Sequence, residues 1–312
     1  MAEGTALSVI VVISSDTVAR RADVSHLEGC LGALSKQNHP PAMEIIVPHH
    51  TDVDGIEDLS RRYPAVVFLP VPIVSIADRE GGGREHHDVL RAHGIHIARG
   101  ELIAMLEDYA RPDPDWSAKI VAAHRRPWAA VGGAIENGID RPLNWAVYFC
   151  DFGKYQNPLP PGPTPFASDI NISYKRSALE AIRPLWSDAY REIVVNGALI
   201  GGGKGLVLDP DIVVHHHRAD LGLSFALKER FIWGRSYAVT RSMIISDGKR
   251  YLYAALSLGL PVVLLARMAR IAWTRGRHFP AFLRAVPNLL PLLMWWSAGE
   301  MVGYLAPQRL RG

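Results

Sequence analysis

Short runs of apolar, mostly β-branched residues alternate with stretches at helical spacing through the first third of the chain, and no other feature restricts the fold as much. The runs are Ser8–Ile13, Glu44–Val47, Val66–Val71 and Glu101–Leu106. Between them, Val24–Gln37 carries Leu27, Cys30, Leu31 and Leu34 at three- and four-residue intervals, and Ile56–Tyr63 and His87–Arg99 read as further helices. The alternation predicts an α/β fold, a Rossmann-like, mostly parallel sheet with helices on both faces. Ligands of such sheets bind beyond the carboxyl ends of the strands. Those ends carry Ser14-Ser15-Asp16, His49-His50, the Val71–Ile76 loop and Glu107-Asp108-Tyr109, so polar groups gather at one rim.

The second half is looser. Trp116–His124 reads as a helix, Ala130–Ile135 as a strand, and Asn157–Pro165 as a loop too rich in proline for regular structure. Ser168–Ser173, a helix from Arg176, a helix around Glu192–Ile200 and the strand Gly205–Leu208 follow, and the amphipathic segment Ser224–Ile245 is closed by Gly248. The only cysteines, Cys30 and Cys150, form no framework or CxxC pair, which points to a reducing compartment and to buried structural thiols. Met-Ala-Glu-Gly-Thr has an acid where a signal peptide has positive charge.

Charge is divided along the chain. The net charge is +3, with 34 basic and 31 acidic residues. Residues 249–312 hold nine of the basic residues and one acid, Glu300, for +8, leaving 25 basic against 30 acidic, or −5, in residues 1–248. The tail also holds two apolar stretches of about 15 residues, Tyr251–Ala266 and Ala285–Gly299, shorter than the roughly 20 of a spanning helix. Arg267, Arg270, Arg275, Arg277 and Arg284 lie between them with Trp273 and no acid. Crossing once from a cytoplasmic domain would put this basic linker outside, against the positive-inside tendency. The expectation is therefore an apolar helical hairpin lying in the cytoplasmic leaflet, arginines at anionic headgroups and Trp273, Trp295 and Trp296 at the interface. The expected domains are 1–248, catalytic, and 249–312, membrane-associated.

Several segments in order resemble the family 2 glycosyltransferases, which have the GT-A fold. Ser8–Ile13 with Leu27, Leu31, Leu34 and Gln37 resembles the family's opening strand, helix and glutamine. Glu44-Ile-Ile-Val-Pro-His-His-Thr-Asp-Val-Asp-Gly55 resembles EIIVVDDGSTDG, and Arg91-Ala-His-Gly-Ile95 through Ala98-Arg-Gly-Glu-Leu-Ile103 resembles RNxGI…ARGExI. Leu106-Glu-Asp-Tyr-Ala-Arg-Pro-Asp-Pro-Asp-Trp116 resembles LDDDxxPxPDW. The resemblance covers roughly residues 8–240.

What the resemblance implies is an inverting transferase that takes a sugar from a nucleotide-sugar donor, with Mn²⁺ or Mg²⁺ held against the diphosphate leaving group. Glu107, Asp108 and Tyr109 stand where the family has three aspartates; Asp108 keeps a carboxylate, and Tyr109 replaces a usual metal ligand with a neutral phenol. His216 matches a position at which some relatives recruit a histidine to the metal. His49 and His50 replace the paired aspartates that contact the base, and an imidazole can stack or donate but does not reproduce a carboxylate accepting from an imide. With Ser14 and Arg91 they would line the nucleotide pocket. Glu192, eleven residues before Gly203, takes the place of the general base, with Arg191 replacing the preceding glutamate. Asp169 and Asn171 match the loop that shapes the sugar pocket. Glu229-Arg230-Phe-Ile-Trp233 resembles the QxxRW element of members working beside membranes, placing Arg230 near the diphosphate and Trp233 near the acceptor sugar. The acceptor implied is lipid-linked or part of the cell envelope.

Gly81-Gly-Gly83 and Gly201-Gly-Gly203 are not P-loops, since no GK[ST] follows; Gly81–Arg84 reads as a loop near the donor phosphates. An acidic body argues against nucleic-acid partners. Two other readings stay open: a catalytically impaired relative serving as a membrane scaffold or partner subunit, motivated by His49, His50 and Tyr109, and a histidine-rich metal hydrolase drawn from His49-His50, His86-His87 and His215–His217.

Overall fold

A computed structural model describes residues 4–15, 23–72, 85–242 and 245–306. Asp16, the loop after Pro72 including Gly81–Arg84, and Arg309 and Arg311 lie outside the described residues. The first elements are β1 (Leu7–Val12), α1 (Ser25–Leu34), β2 (Met43–His50), α2 (Ile56–Arg62), β3 (Val66–Val71), α3 (Glu85–Ile97), β4 (Leu102–Glu107), β5 (Ala110–Pro112) and α4 (Trp116–Ala123). Next come β6 (Ala130–Asn137), α5 (Pro142–Asp151), β7 (Gly162–Pro163), β8 (Ile172–Lys175), α6 (Arg176–Glu180), α7 (Glu192–Gly201) and β9 (Leu206–His216). The chain closes with α8 (Leu223–Ser242), α9 (Asp247–Leu256), α10 (Leu260–Arg275) and α11 (Phe279–Leu305). By packing, the described residues form two compact units: those up to 138 with 157–217, and 139–156 with 218–306.

The first unit is the α/β layer structure that the alternation predicts. Its sheet runs β3-β2-β1-β4-β8-β6-β9-β5, with β7 also on β9. β3, β2, β1 and β4 are parallel, β8 enters antiparallel to both neighbours, and β6 and β9 are again parallel to each other. Side chains of β1 divide between two cores because successive residues of a strand point to opposite faces. Leu7, Val9 and Val11 pack with Leu27, Cys30, Leu31 and Leu34 of α1 and with Trp116 and Ile120 of α4. Ile10 faces the other way, onto Ile46, Ile95 of α3 and Met105. A strand sandwiched between helices has no polar face to show, which is why these segments read as continuous apolar runs. Burial pushes the Cys30 and Cys150 thiols up to about 12, so both are inert.

Two polar staples hold the connections. Gln37 donates from Nε2 to the Asp113 carbonyl at 2.8 Å and accepts from the Ser117 N–H at 2.9 Å, fixing the turn that leads into α4. At the irregularity where β6 and β9 change register after Gly133, Asn171 donates to the carbonyls of Ala134 and Ile212 at 2.8 and 2.9 Å and accepts from the Trp116 indole N–H at 3.0 Å.

The second unit is helical. α8 and α11 approach until their backbones touch: a Cβ on Gly234 would strike the Trp296 carbonyl, and one on Gly299 the Phe231 carbonyl. α5 meets α11 through aromatic rings, Phe149 on Phe282 at 5.2 Å and Trp145 on His278 at 4.9 Å. The two tail stretches differ. α9, a single 3₁₀ turn and α10 make one helical run, Asp247–Arg275, of 29 residues, with a best-window mean hydropathy of 1.8 and 11% of that window buried. It is the one helix among the described residues long and apolar enough to cross a membrane, at about 43 Å against a hydrocarbon core of about 30 Å. The 15-residue stretch underestimates it because arginine interrupts an apolar count without interrupting a helix. α11 instead buries Phe282, Ala285, Leu289, Leu292 and Leu293 within the unit.

Candidate functional site

The carboxyl ends of β1, β2 and β4 stand side by side, since Val12 pairs with Glu107 and β2 lies on the other side of β1. β5 pairs antiparallel with β9, Ala110 opposite His216, and this brings the histidines at the end of β9 to the same edge. His216 Nε2 lies 3.3 Å from Glu107 Oε1. The Tyr109 ring stands between two imidazoles, 4.4 Å from His26 and 5.3 Å from His216, and its carbonyl accepts from the His217 N–H at 2.8 Å. Glu107, Tyr109 and His216 are thus assembled.

Asp108 is placed differently from its expected role. It is 0% exposed. Oδ1 accepts from the Ser14 N–H and hydroxyl, both at 3.0 Å, and from the Tyr109 N–H at 3.1 Å, while Oδ2 accepts from the Ser15 hydroxyl at 2.6 Å. Burial raises its carboxyl above the usual carboxylate range, against the pull of these hydrogen bonds. The carboxylate and Ser14 together close the loop after β1 onto the end of β4. Expected at the metal, Asp108 instead spends its oxygens on Ser14, Ser15 and the Tyr109 N–H.

A divalent cation is tested by the donors on hand. Among the described residues no group of three or more His, Cys, Asp and Glu is placed to hold a metal. A hard cation that arrives on phosphates needs only one or two protein ligands, and Glu107 with His216 supplies a carboxylate and an imidazole. Those two residues fit; Asp108 and the Tyr109 phenol do not.

At the end of β2 the backbone sets both imidazole tautomers. His49 Nδ1 donates to the His50 carbonyl at 2.8 Å, which leaves Nε2 as an acceptor, and burial lowers its pKa so that the ring stays neutral. His50 Nδ1 accepts from the Asp52 N–H at 3.0 Å, which puts its proton on Nε2. His49 therefore has the accepting nitrogen that the residue type alone leaves undecided.

A second cluster gathers around Glu192. Its carboxylate, on the first residue of α7, accepts from the Asp169 N–H at 3.1 Å. The Asp169 carboxylate pairs with the buried guanidinium of Arg91 at 2.8 Å, and Asp88 lies 3.8 Å from the same group. Arg91, Asp169 and Glu192 come together although 101 positions separate the first from the last. A carboxylate in the first turn of a helix is favoured in its ionised form, the form a base requires.

Asn171, Arg230 and Trp233 are engaged elsewhere. The three hydrogen bonds of Asn171 are the staple described above. Arg230 is buried in the helical unit, where it grips Asp151 with both terminal nitrogens, one at 2.9 Å, and stacks 4.3 Å from the Trp233 ring. Arg218 forms a like bidentate pair with Glu229, both contacts at 2.9 Å. These are internal struts of α8 and α5, and the spacing that resembles QxxRW does not reveal that Asp151 answers Arg230. His26 is a site neighbour that the sequence does not single out; only the contact between α1 and β5 brings it to Tyr109.

No family profile matches the chain, and no curated protein matches it. Among solved structures, it superposes on the mannosyltransferase PcManGT from Pyrobaculum calidifontis, a structure in complex with GDP-Man and Mn²⁺, over 95% of this chain and 87% of that one, with a TM-score of 0.53 and 15% identity. TarS from S. aureus aligns over 96% of this chain and 89% of that one at 13% identity, with a TM-score of 0.44, below the level at which topology is shared. The chain therefore has a glycosyltransferase-like α/β fold of the GT-A kind with an apolar C-terminal helix.

Proposed function

We propose that the protein is an inverting glycosyltransferase that takes a sugar from a nucleotide-sugar donor and passes it to a lipid-linked or cell-envelope acceptor. The observation that carries this reading is the rim: within a glycosyltransferase-like fold, Glu107–His216 and the His49–His50 pair stand at the ends of β4 and β2, on either side of β1, with Arg91, Asp169 and Glu192 clustered in the same unit. Residues 1–248 carry the chemistry, and 249–312 hold the enzyme at the cytoplasmic face of an anionic membrane.

In this reading Glu192 takes the proton of the acceptor hydroxyl, the acceptor oxygen bonds to the anomeric carbon, and the bond from that carbon to the diphosphate breaks on the opposite side. The Asp169 N–H orients the Glu192 carboxylate, and Arg91 orients Asp169. Glu107 and His216 are the residues that would hold a divalent cation carried by the donor, which would supply neutralisation of charge on the leaving diphosphate. His49 Nε2 accepts from the base edge. The mannosyltransferase neighbour was solved with GDP-Man, so a guanine nucleotide is among the donors to test first.

Calorimetry across UDP-, GDP- and dTDP-sugars, with and without Mn²⁺, tests the reading, and a protein that binds none of them ends it. Glu192→Gln is expected to keep donor affinity and to lower the transfer rate by about 10²- to 10⁴-fold, the contribution of a positioned general base. The impaired-relative reading draws on one observation, the five hydrogen bonds that close off Asp108. A Glu192→Gln protein with full function in cells would favour it.

A further inference from the structure

In the helical unit, α10 passes the end of α5 and the short turn after it, and between them lies a cleft of about 210 Å³. That is smaller than the roughly 300–1,000 Å³ of a drug-sized ligand site and suits a headgroup. One wall is a single face of α10, with Leu264, Arg267 and Met268 at helical spacing; the other includes Phe149, Lys154 and Gln156. The charged residues lining the cleft are Lys154, Arg267 and Asp151, the last held by Arg230, so basic side chains outnumber acidic ones two to one.

Two further observations say what belongs there. Gln156 is 0% exposed; its Nε2–H donates to the Gly153 carbonyl at 2.6 Å, and its Oε1 has no hydrogen-bond partner among the described residues. A buried amide oxygen calls for a donor, and a donor brought by a ligand satisfies it. The second observation is depth. Leu252, Leu256, Leu258, Val262 and Val263 are exposed along the helix before the cleft, Leu258 and Val262 by 75% and 73%. Arg267, Arg270 and the exposed Trp273 follow. The cleft opens where the apolar stripe gives way to arginine and tryptophan, the level of headgroups for a helix in a bilayer.

We infer that this cleft binds the headgroup of an anionic, hydroxyl-bearing phospholipid. Its phosphate lies between Lys154 and Arg267, a headgroup hydroxyl donates to Gln156 Oε1, and the first acyl carbons run along Leu264 and Phe149. The inference rests on the membrane association proposed above and adds a defined lipid site to it.

Vesicle co-sedimentation of the full chain tests the assignment, with phosphatidylcholine alone and phosphatidylcholine mixed with phosphatidylglycerol. The double variant Lys154→Ala/Arg267→Ala is expected to lose about tenfold or more of its affinity for phosphatidylglycerol vesicles, with binding to phosphatidylcholine unchanged. Met268→Trp, which fills the cleft and leaves every charge in place, is expected to lose the same preference. Equal loss in Arg270→Ala/Arg277→Ala with none in Met268→Trp would show diffuse surface charge and overturn the site. Full competition by soluble glycerol phosphate would overturn the lipid as its source. Wild-type protein that binds no vesicle would remove the membrane reading itself, whereas wild-type binding that the cleft variants leave intact removes only this inference.

Discussion

Asp108 and Glu107 are neighbours in sequence and opposites in structure. Both are acids at a strand end, yet Asp108 is closed off by Ser14, Ser15 and Tyr109 while Glu107 meets His216. Spacing locates such residues but does not orient them, because their partners come from distant segments: Ser14 and Ser15 after β1 for Asp108, and the end of β9 for Glu107. Gln37 shows the same limit from the other side: the family resemblance singles it out, and the structure gives it the work of a staple. A residue that no motif marks, His124, sets the acid stability of the first unit. It lies just past α4, its Nε2–H bonds the Ser173 hydroxyl at 2.9 Å, and burial, with Lys175 adding to it, lowers its pKa to about 4. The unfolded chain binds this proton near pH 6.5 and the folded one near 4, so stability is full above about 6.5 and falls as the pH drops between the two. The loss by pH 4 is about 3 kcal/mol. Urea midpoints at several pH values are expected to show this slope, and His124→Gln, which keeps a donor to Ser173, is expected to flatten it.

At the scale of elements, β1 and α1 are legible because each must satisfy one simple environment: β1 is apolar on both faces, and α1 buries Leu27, Cys30, Leu31 and Leu34 at the spacing of one helical face. α8 and α11 are less so. Their contact is built on glycine, which adds nothing to an apolar pattern. At Gly299 any side chain meets the Phe231 carbonyl and the Arg235 N–H region, both backbone, so neither can swing away. Gly299→Val is expected to destabilise the helical unit by about 1–3 kcal/mol or more, the cost of overpacking. Gly248→Ala, in α9 with open space around its missing Cβ, is expected to be neutral or mildly stabilising. Thermal unfolding followed by circular dichroism compares the two.

For the whole molecule, the division of charge is a matter of sequence alone: −5 over residues 1–248 and +8 over 249–312. If that tail holds the protein at an anionic surface, affinity for phosphatidylglycerol vesicles is expected to fall steeply between about 0.1 and 1 M salt, as the Debye length shrinks from about 10 to 3 Å. Any binding through the exposed stripe of Asp247–Arg275 persists. Flotation across a salt series separates the two, and affinity that does not move with salt counts against the electrostatic hold. Sequence determined the α/β class, the alternation of strands and helices from β1 to β4, and the polar rim, because apolar periodicity reports local burial and strand ends follow from it; it did not show β5, or β7 inside the proline-rich stretch. It also determined the total charge of the tail. Only the tertiary structure decided which acids meet which partners: that Asp108 faces inward, that Arg230 belongs to Asp151, that Glu192 joins Asp169 and Arg91, and that α11 packs away its apolar face while α10 leaves its own exposed. Those outcomes depend on contacts between segments far apart in the chain, and the spacing of residues along one segment carries no record of what the other segment brings.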